Sequence, residues 1–394
     1  PESSPVSTAT RKAFSTGGAR SIVSRGLMAS SAYRLRPGRP PGSAEAAEER
    51  VEGFRGRADR IAPGVHHLQR GLAAEPGALT LVAKAGTPIA EIEALLAAEK
   101  QRLSFEPMDH RTLLGTQGAP TIGGAVAANV SGPRRISVGA CRDFALGVRF
   151  VDGMGRALKN GGRVMKNVTG YDLVKLMAGS WGTLGAMSEV SLKVMPCPET
   201  EATLALHVAD AAVAVEAMSA ALGSPYEVTG AAQNGPVYLR IEGFEPSVAY
   251  RLDALETVLA RFGAIERLNA EASATLWQEL RDVTAFAGHA FVTRISLRPT
   301  DMPTFLAAAQ AEHRFETQLD WAGGLAWLAS DKESLADFAQ SYCAAHGGHA
   351  TRVKGSFESC AFQPEAAGVA RLSHGLRQRF DPKGLFNPAL MVRG

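Results

Sequence analysis

Thr121-Ile122-Gly123-Gly124, then Gly170-Tyr171-Asp172, then Gly179-Ser180-Trp181-Gly182-Thr183-Leu184-Gly185 are the segments whose reading decides the fold. They fall within 121–189, and each glycine turn is followed by small or apolar residues. Glycine has no Cβ, so its backbone can lie directly against a phosphate or a flat ring, and successive N–H groups form an anion-binding concavity. One glycine pair would mark an ordinary turn between strands. Two such turns in this order point to a nucleotide-type cofactor cradled by backbone.

Phe105-Glu106-Pro107-Met108-Asp109-His110 precedes the first turn, and Lys166-Asn167-Val168-Thr169-Gly170-Tyr171-Asp172 leads into the second. Together these segments resemble the FAD-binding domain of the vanillyl-alcohol oxidase and p-cresol methylhydroxylase type. Within that group they are similar to the FAD-binding subunits of bacterial glycolate oxidase. The likeness runs from about residue 75 to the C-terminus. It implies an α+β protein, with a vanillyl-alcohol-oxidase-type FAD-binding domain whose first lobe is missing or altered, plus an α+β cap domain with an antiparallel sheet. FAD should be non-covalent, because neither glycine turn holds a His or Cys in the family's attachment pattern.

By the same resemblance, Pro120, Thr121, Ile122, Gly123 and Gly124 offer successive amides to the FAD pyrophosphate, and Asn129 and Gly132 continue the flavin-side wall. Gly179, Ser180, Gly182, Thr183, Leu184 and Gly185 form a second loop that supports the adenine and ribityl portions, with the Ser180 and Thr183 hydroxyls as partners. Glu189 is either a ribose partner or an exposed strand residue. Asn387, in the closing segment Phe380-Asp381-Pro382-Lys383-Gly384-Leu385-Phe386-Asn387-Pro388, returns beside the flavin ring or makes a plain Asn-Pro turn.

Lys166 either favours an anionic reduced ring or sits on a solvated face. Asp172 reads at least as well as a helix cap, and Asp109 and His110 either face the flavin edge or are structural. His346-Gly347-Gly348-His349 invites a metal reading, but the acidic Gly-Glu-His-Gly segment that completes the relatives' site is missing, so no metal is expected. No general base stands out, and the catalytic residues are left unknown.

The chain has 394 residues, of which 45% are apolar and 21% charged, enough for two domains with a substantial core. A net charge of +3 without an aromatic-interleaved basic stripe gives no reason to expect nucleic acid. No run approaches the roughly 20 apolar residues of a membrane span. Cys141, Cys197, Cys343 and Cys360 have no metal-cluster spacing. They suit a reducing cytosol, where such thiols act as small buried apolar residues.

Charge and pattern divide the chain. Residues 1–74 carry +6 and the remainder −3. That first segment is Arg-, Ser- and Ala-rich in the manner of a transit peptide, clusters Pro37, Pro40, Pro41 and Gly42, and offers only 44–57 as a polar helix. It is expected to be disordered. The phosphate-binding lobe that the resemblance places here is not legible: Ser15-Thr16-Gly17-Gly18-Ala19-Arg20 has glycines but no strand leading in, as an altered reading frame would produce.

The FAD-binding domain is assigned to 75–198. It should contain a strand at 78–84, a helix to about residue 100 capped by Thr87 with Pro88 first and Ile89, Ile92, Leu95 and Leu96 on one face, strands at 145–151 and 156–164, a helix at 172–177 and a strand at 185–194. Met195-Pro196-Cys197-Pro198 ends it. The cap, 199–375, alternates strands (203–208, 237–241, 291–297, 324–329) with helices (211–222, 246–262, 302–313, 333–345), giving a sheet covered on one face. Residues 376–394 form a hook back to the FAD domain.

The resemblance implies one subunit of a glycolate oxidase complex, oxidising a small 2-hydroxy acid and passing electrons through flavin to an iron–sulfur subunit. A larger flavoprotein subunit would hold the main substrate site. The setting is cytoplasmic, with peripheral attachment at the inner face of the membrane through the complex. Two other readings stay open: a self-sufficient flavin oxidase or dehydrogenase of another alcohol or hydroxy acid, and a flavin-free structural subunit. An absent phosphate lobe would forfeit charge-assisted hydrogen bonds worth about 1.5–3 kcal/mol each.

Overall fold

The computed structural model describes residues 20–21, 72–163, 170–355, 360–387 and 390. The readings placed on 15–19, on 44–57 and on Lys166 and Asn167 lie outside the described residues. Inside the segment expected to lack structure, Arg20–Ser21 (β1) and Leu72–Glu75 (β2) are strands. β2 pairs antiparallel with Thr80–Lys84 (β3), Leu72 opposite Ala83, so ordered structure begins before residue 75. Leu72-Ala73-Ala74-Glu75 has no β-branched residue, and its strand state comes from pairing rather than propensity.

β3 turns into Ile89–Ala98 (α1), whose cap is Pro88 rather than Thr87. The Thr87 amide instead donates to Lys84 O, and its carbonyl accepts from Ile122. Ile89, Ile92 and Leu96 are the buried stripe of α1, while Leu95 is exposed. Gln101–Arg102 (β4) follows. Ala145–Val151 (β5), Ala157–Gly161 (β6) and Ala186–Lys193 (β7) complete an antiparallel sheet of order β2-β3-β7-β5-β6. Leu81, Ala83, Val148, Phe150, Val190 and Leu192 pack beneath it with α1 and the helix Ile122–Ala128 (α2). Leu173–Met177 (α3) is capped by Asp172, whose carboxylate accepts from Lys175 N. Met195–Pro196 (β8) pairs with β4 and closes the lobe.

The cap is a nine-stranded antiparallel sheet of order β1-β16-β13-β15-β14-β10-β11-β9-β12. Its strands are Thr200–Leu206 (β9), Gly230–Gln233 (β10), Val237–Gly243 (β11), Ile265–Leu268 (β12), Phe291–Ser296 (β13), Glu316–Asp320 (β14), Leu325–Ser330 (β15) and His349–Gly355 (β16). Its helices are Ala211–Leu222 (α4), Glu245–Leu259 (α5), Ala270–Asp282 (α6), Met302–Glu312 (α7) and Ser334–His346 (α8). All but α6 share one apolar core with the sheet.

The expectation of a sheet covered on one face is corrected. On the second face Val292, Leu325, Trp327, Ala329 and Val353 pack against Met108, Leu113 and Leu114 of the flavin lobe. Trp277 and Leu280 of α6 lie there against Ala232. Burial on both sides is why β10, β14 and β16 lack a clean polar–apolar alternation, and α6 escaped notice because its buried face is so narrow. The hook boundary at 376 also shifts, because Ala367–Phe380 (α9) is one continuous helix.

An ionic cluster joins cap to lobe. Arg240, 2% exposed, grips Glu106 with two hydrogen bonds of 2.9 and 3.1 Å. Arg134 donates its amide and guanidinium to the same carboxylate, and also pairs with Glu242, which takes Arg102 as well. Burial raises the Glu106 carboxyl, yet Arg240 and then Arg134 outweigh it and hold it at about 2.

Candidate flavin site at the interlobe cavity

The two glycine turns are joined through α2. Gly179 N donates to Val126 O and Trp181 N to Ala127 O, so the second loop hangs on the last turn of that helix. The Thr183 hydroxyl donates to Ser180 O at 2.6 Å and closes the loop on itself. Asn387 Nδ2 donates to Trp181 O at 3.0 Å, tying the C-terminal hook to the same place. Asn129 ends α2 in a left-handed conformation (φ 51), and its side-chain oxygen accepts from Arg142 N.

The first turn is used differently from the sequence expectation. The Ile122 amide donates to Thr87 O, Gly123 to Ala85 O, and Gly124 to the Thr121 hydroxyl. Pro120 O accepts from Ile89. A Cβ on Gly123 would stand 2.6 Å from the Ala85 Cβ, so glycine is required here by close packing against the residue after β3. These amides have protein partners and are not a row of free donors. Leu184 is buried in the lobe core, and a Cβ on Gly185 would stand 2.7 Å from Val151 O. Glu189 is ion-paired with Lys84 at 2.7 Å and Arg149 at 2.9 Å on the sheet, which corrects the picture of an exposed or ribose-seeking carboxylate.

Between lobe and cap lies a cavity of about 270 Å³. Its lobe wall includes His110, Ala128, Asn129, Gly132, Gly179 and Trp181; its cap wall includes Arg294, Asp320, Trp327, His349 and Thr351. Strand periodicity builds the cap wall. Ile295, Ala326, Leu328, Leu319 and Ala350 face the helices, so their neighbours must face the lobe. Register then sets Thr351, Arg294 and Trp327 side by side across β16, β13 and β15. Gly132 enters this wall because a side chain there would collide with Glu106 O, and its carbonyl accepts the Trp321 indole at 3.0 Å.

Electrostatics distinguish the lining groups. Burial pushes the His110 imidazole down to about 4, and its Nδ1 is buried with no hydrogen-bond partner among the described residues. Behind the wall, Ser180 Oγ is likewise buried without one among the described residues. Burial pushes the Asp320 carboxyl up to about 7, although it accepts the Trp321 amide at 2.7 Å. The Arg294 guanidinium carbon stands 5.0 Å from the centre of the Trp321 ring and 5.9 Å from that of Trp327. Arg135 also lies over Trp321, at 4.4 Å.

Of the residues read from sequence, Asn129, Gly132 and Gly179 line the cavity; Ser180, Gly182, Thr183 and Asn387 belong to the loop behind it; Pro120, Ile122, Gly123, Gly124, Leu184, Gly185 and Glu189 serve packing or ion pairing. Asp109 pairs with Arg111. His346 stacks on Tyr342 and bonds its carbonyl, whereas His349 faces the cavity beside Thr351. The reading missed Arg294 and Asp320. The available signal for Arg294 was a lone charge in the strand segment Phe291-Val292-Thr293-Arg294-Ile295. Of the cysteines, Cys141 and Cys343 are buried, but Cys197 is exposed.

These surroundings fit a flat polar-edged ring: a wall of small residues and one indole, an orphaned His110 atom, and cationic groups opposite. Fold and cavity thus define an FAD-binding oxidoreductase with an α+β cap, and a family model described as an FAD binding domain matches residues 64–161. The chain is 36% identical over 325 residues to the glycolate oxidase subunit GlcE of Escherichia coli (strain K12), covering 80% of this chain and 83% of that protein. It belongs to that subunit's family. It is also 33% identical over 138 residues to the glycolate oxidase subunit GlcD of Bacillus subtilis (strain 168), 35% of this chain but only 28% of that protein. A solved alkyldihydroxyacetonephosphate synthase shares the fold at a TM-score of 0.55 and 16% identity, over 80% of this chain and 65% of that one. Among the described residues, no helix is long and apolar enough to cross a membrane.

Proposed function

We propose that this chain is the FAD-carrying subunit of a glycolate oxidase complex and takes part in oxidising glycolate, or a similarly small 2-hydroxy acid, to the 2-oxo acid. The supporting observation is the cavity where the second glycine loop and the end of α2 meet a polar row on the cap sheet. Bound FAD supplies a two-electron acceptor for the hydride on the hydroxyl-bearing carbon.

Asn129, Gly132, Gly179 and Trp181 would hold the ring end, and Asn387 with Thr183 would keep that loop in place. Asp320, with a carboxyl near 7 at the cavity wall, is suited to take up the hydroxyl proton near neutral pH. A larger flavoprotein subunit and an iron–sulfur subunit are the proposed partners, the latter taking the electrons onward. The cytoplasmic setting, with attachment to the inner face of the membrane through the complex, is proposed on the same basis.

The test is the visible absorption spectrum of the purified full chain before and after desalting with FAD. Flavin bands that stay with the protein support the reading. A colourless protein that takes up no added FAD overturns it in favour of the flavin-free structural subunit.

A further inference from the structure

The cap wall contains a cation that the fold does not use. Four arginines at the joint between lobe and cap are matched to acids: Arg240 to Glu106, Arg134 to Glu106 and Glu242, Arg102 to Glu242, Arg281 to Asp282. Arg294 is not. Among the described residues no carboxylate comes within ion-pair distance of it, and its only close partners are the two indole faces. The acid whose charge reaches it, Asp320, lies beyond ion-pair distance.

A half-buried guanidinium that lacks a counter-charge is available to an anion that completes it. Stacking on indoles leaves the in-plane N–H fork free and oriented, which is the geometry that takes a carboxylate by two parallel hydrogen bonds. The strand fixes the fork's position: Arg294 lies directly across from Thr351 and Trp327 on its two neighbours. All three line the cavity. Arg135, also over Trp321, adds positive potential and has no ion pair among the described residues.

We propose that Arg294 anchors the carboxylate of the small 2-hydroxy acid, which places a substrate site on this chain itself rather than on a partner flavoprotein alone. The proposal rests on the functional reading above for the identity of the acid, but not for the existence of the anion site. Thr351 lies beside the fork as a hydroxyl partner for the bound acid. The acid's hydroxyl-bearing carbon would then point toward the lobe wall of Gly179 and Trp181.

Isothermal titration of the full chain, with and without FAD, tests this against glycolate, neutral ethylene glycol and inorganic phosphate. Glycolate should bind, ethylene glycol should not, and phosphate should compete poorly. Arg294→Gln should weaken glycolate at least tenfold, and Arg294→Lys should restore part of it. In the unmutated protein, glycolate should slow phenylglyoxal modification of Arg294, a readout that survives even if a variant fails to fold. Unchanged glycolate binding in folded Arg294→Gln, or no protection of Arg294, overturns the proposal. So does phosphate binding as well as glycolate. A variant that loses FAD but keeps glycolate assigns the guanidinium to the cofactor and also overturns it. Loss of FAD retention in the unmutated chain strikes the functional reading alone, since the flavin-free titration reads the anion site separately.

Discussion

Arg240, fully buried, and Arg294, half-buried, have like placements on the cap sheet and opposite uses. Each lies on a central strand of the cap sheet, faces the flavin lobe and lies over a tryptophan, Arg240 at 4.5 Å from Trp277 and Arg294 at 5.0 Å from Trp321. Arg240 meets a carboxylate delivered by the lobe, and the pair becomes part of the joint between domains. Arg294 meets a cavity. The difference is that the counter-charge of Arg240 is supplied by the chain, whereas on the proposal above that of Arg294 comes from a ligand.

The largest effect expected from that contrast is at the satisfied cluster. Glu106→Gln removes the carboxylate shared by Arg240 and Arg134 and leaves two buried guanidiniums short of charge. Stability should fall by about 3–5 kcal/mol, read as a lower urea midpoint. Because the Glu106 carboxyl lies below its usual 4.5, its contribution is fully present above that value and is lost as pH falls through about 2. The wild type and the variant should therefore converge in strong acid. A variant as stable as wild type at pH 7 would break the comparison at its stronger end.

Asp320 tests the other side. Its folded carboxyl is raised from 3.8 to about 7 by burial, so its contribution is fully present below 3.8 and lost as pH rises through about 7. Trp321 N, Arg294, Arg240 and Glu106 are the groups acting on it. Asp320→Asn should flatten the decline of stability across that window, by at most about 1.4 kcal/mol per pH unit. Parallel urea profiles of the two proteins from pH 4 to 8 would contradict it.

The smallest effect is at Arg294 itself. Arg294→Gln loses two indole contacts but relieves an unpaired cation, so its urea midpoint should shift by no more than about 1 kcal/mol. A loss as large as that of Glu106→Gln would mean Arg294 is structural after all.

The glycine turns were legible because cofactor loops and tight packing impose the same local demand, a backbone without Cβ. That shared demand is also why sequence could not separate the two uses. Gly123 and Gly185 are glycines for Ala85 and Val151, while Gly179 lines the cavity. Thr87 as a cap and Leu95 as a core residue failed by one position each, where a turn bond and a helix phase intervened. The short strands β10, β12, β14 and β16 were illegible for want of a clear period.

The sequence by itself determined the class of protein: the order and spacing of its glycine turns, the flanking segments that resemble a flavin-binding family, and the proline break between lobe and cap. These are local properties of the chain, written in consecutive residues. Only the tertiary structure decided which amides are already occupied, which acids meet which arginines, and that Arg294, Asp320, Gly132 and Gly179 share one cavity. Those facts depend on strand register and on the docking of a sheet face against a lobe, and residues brought together in that way leave no spacing to read.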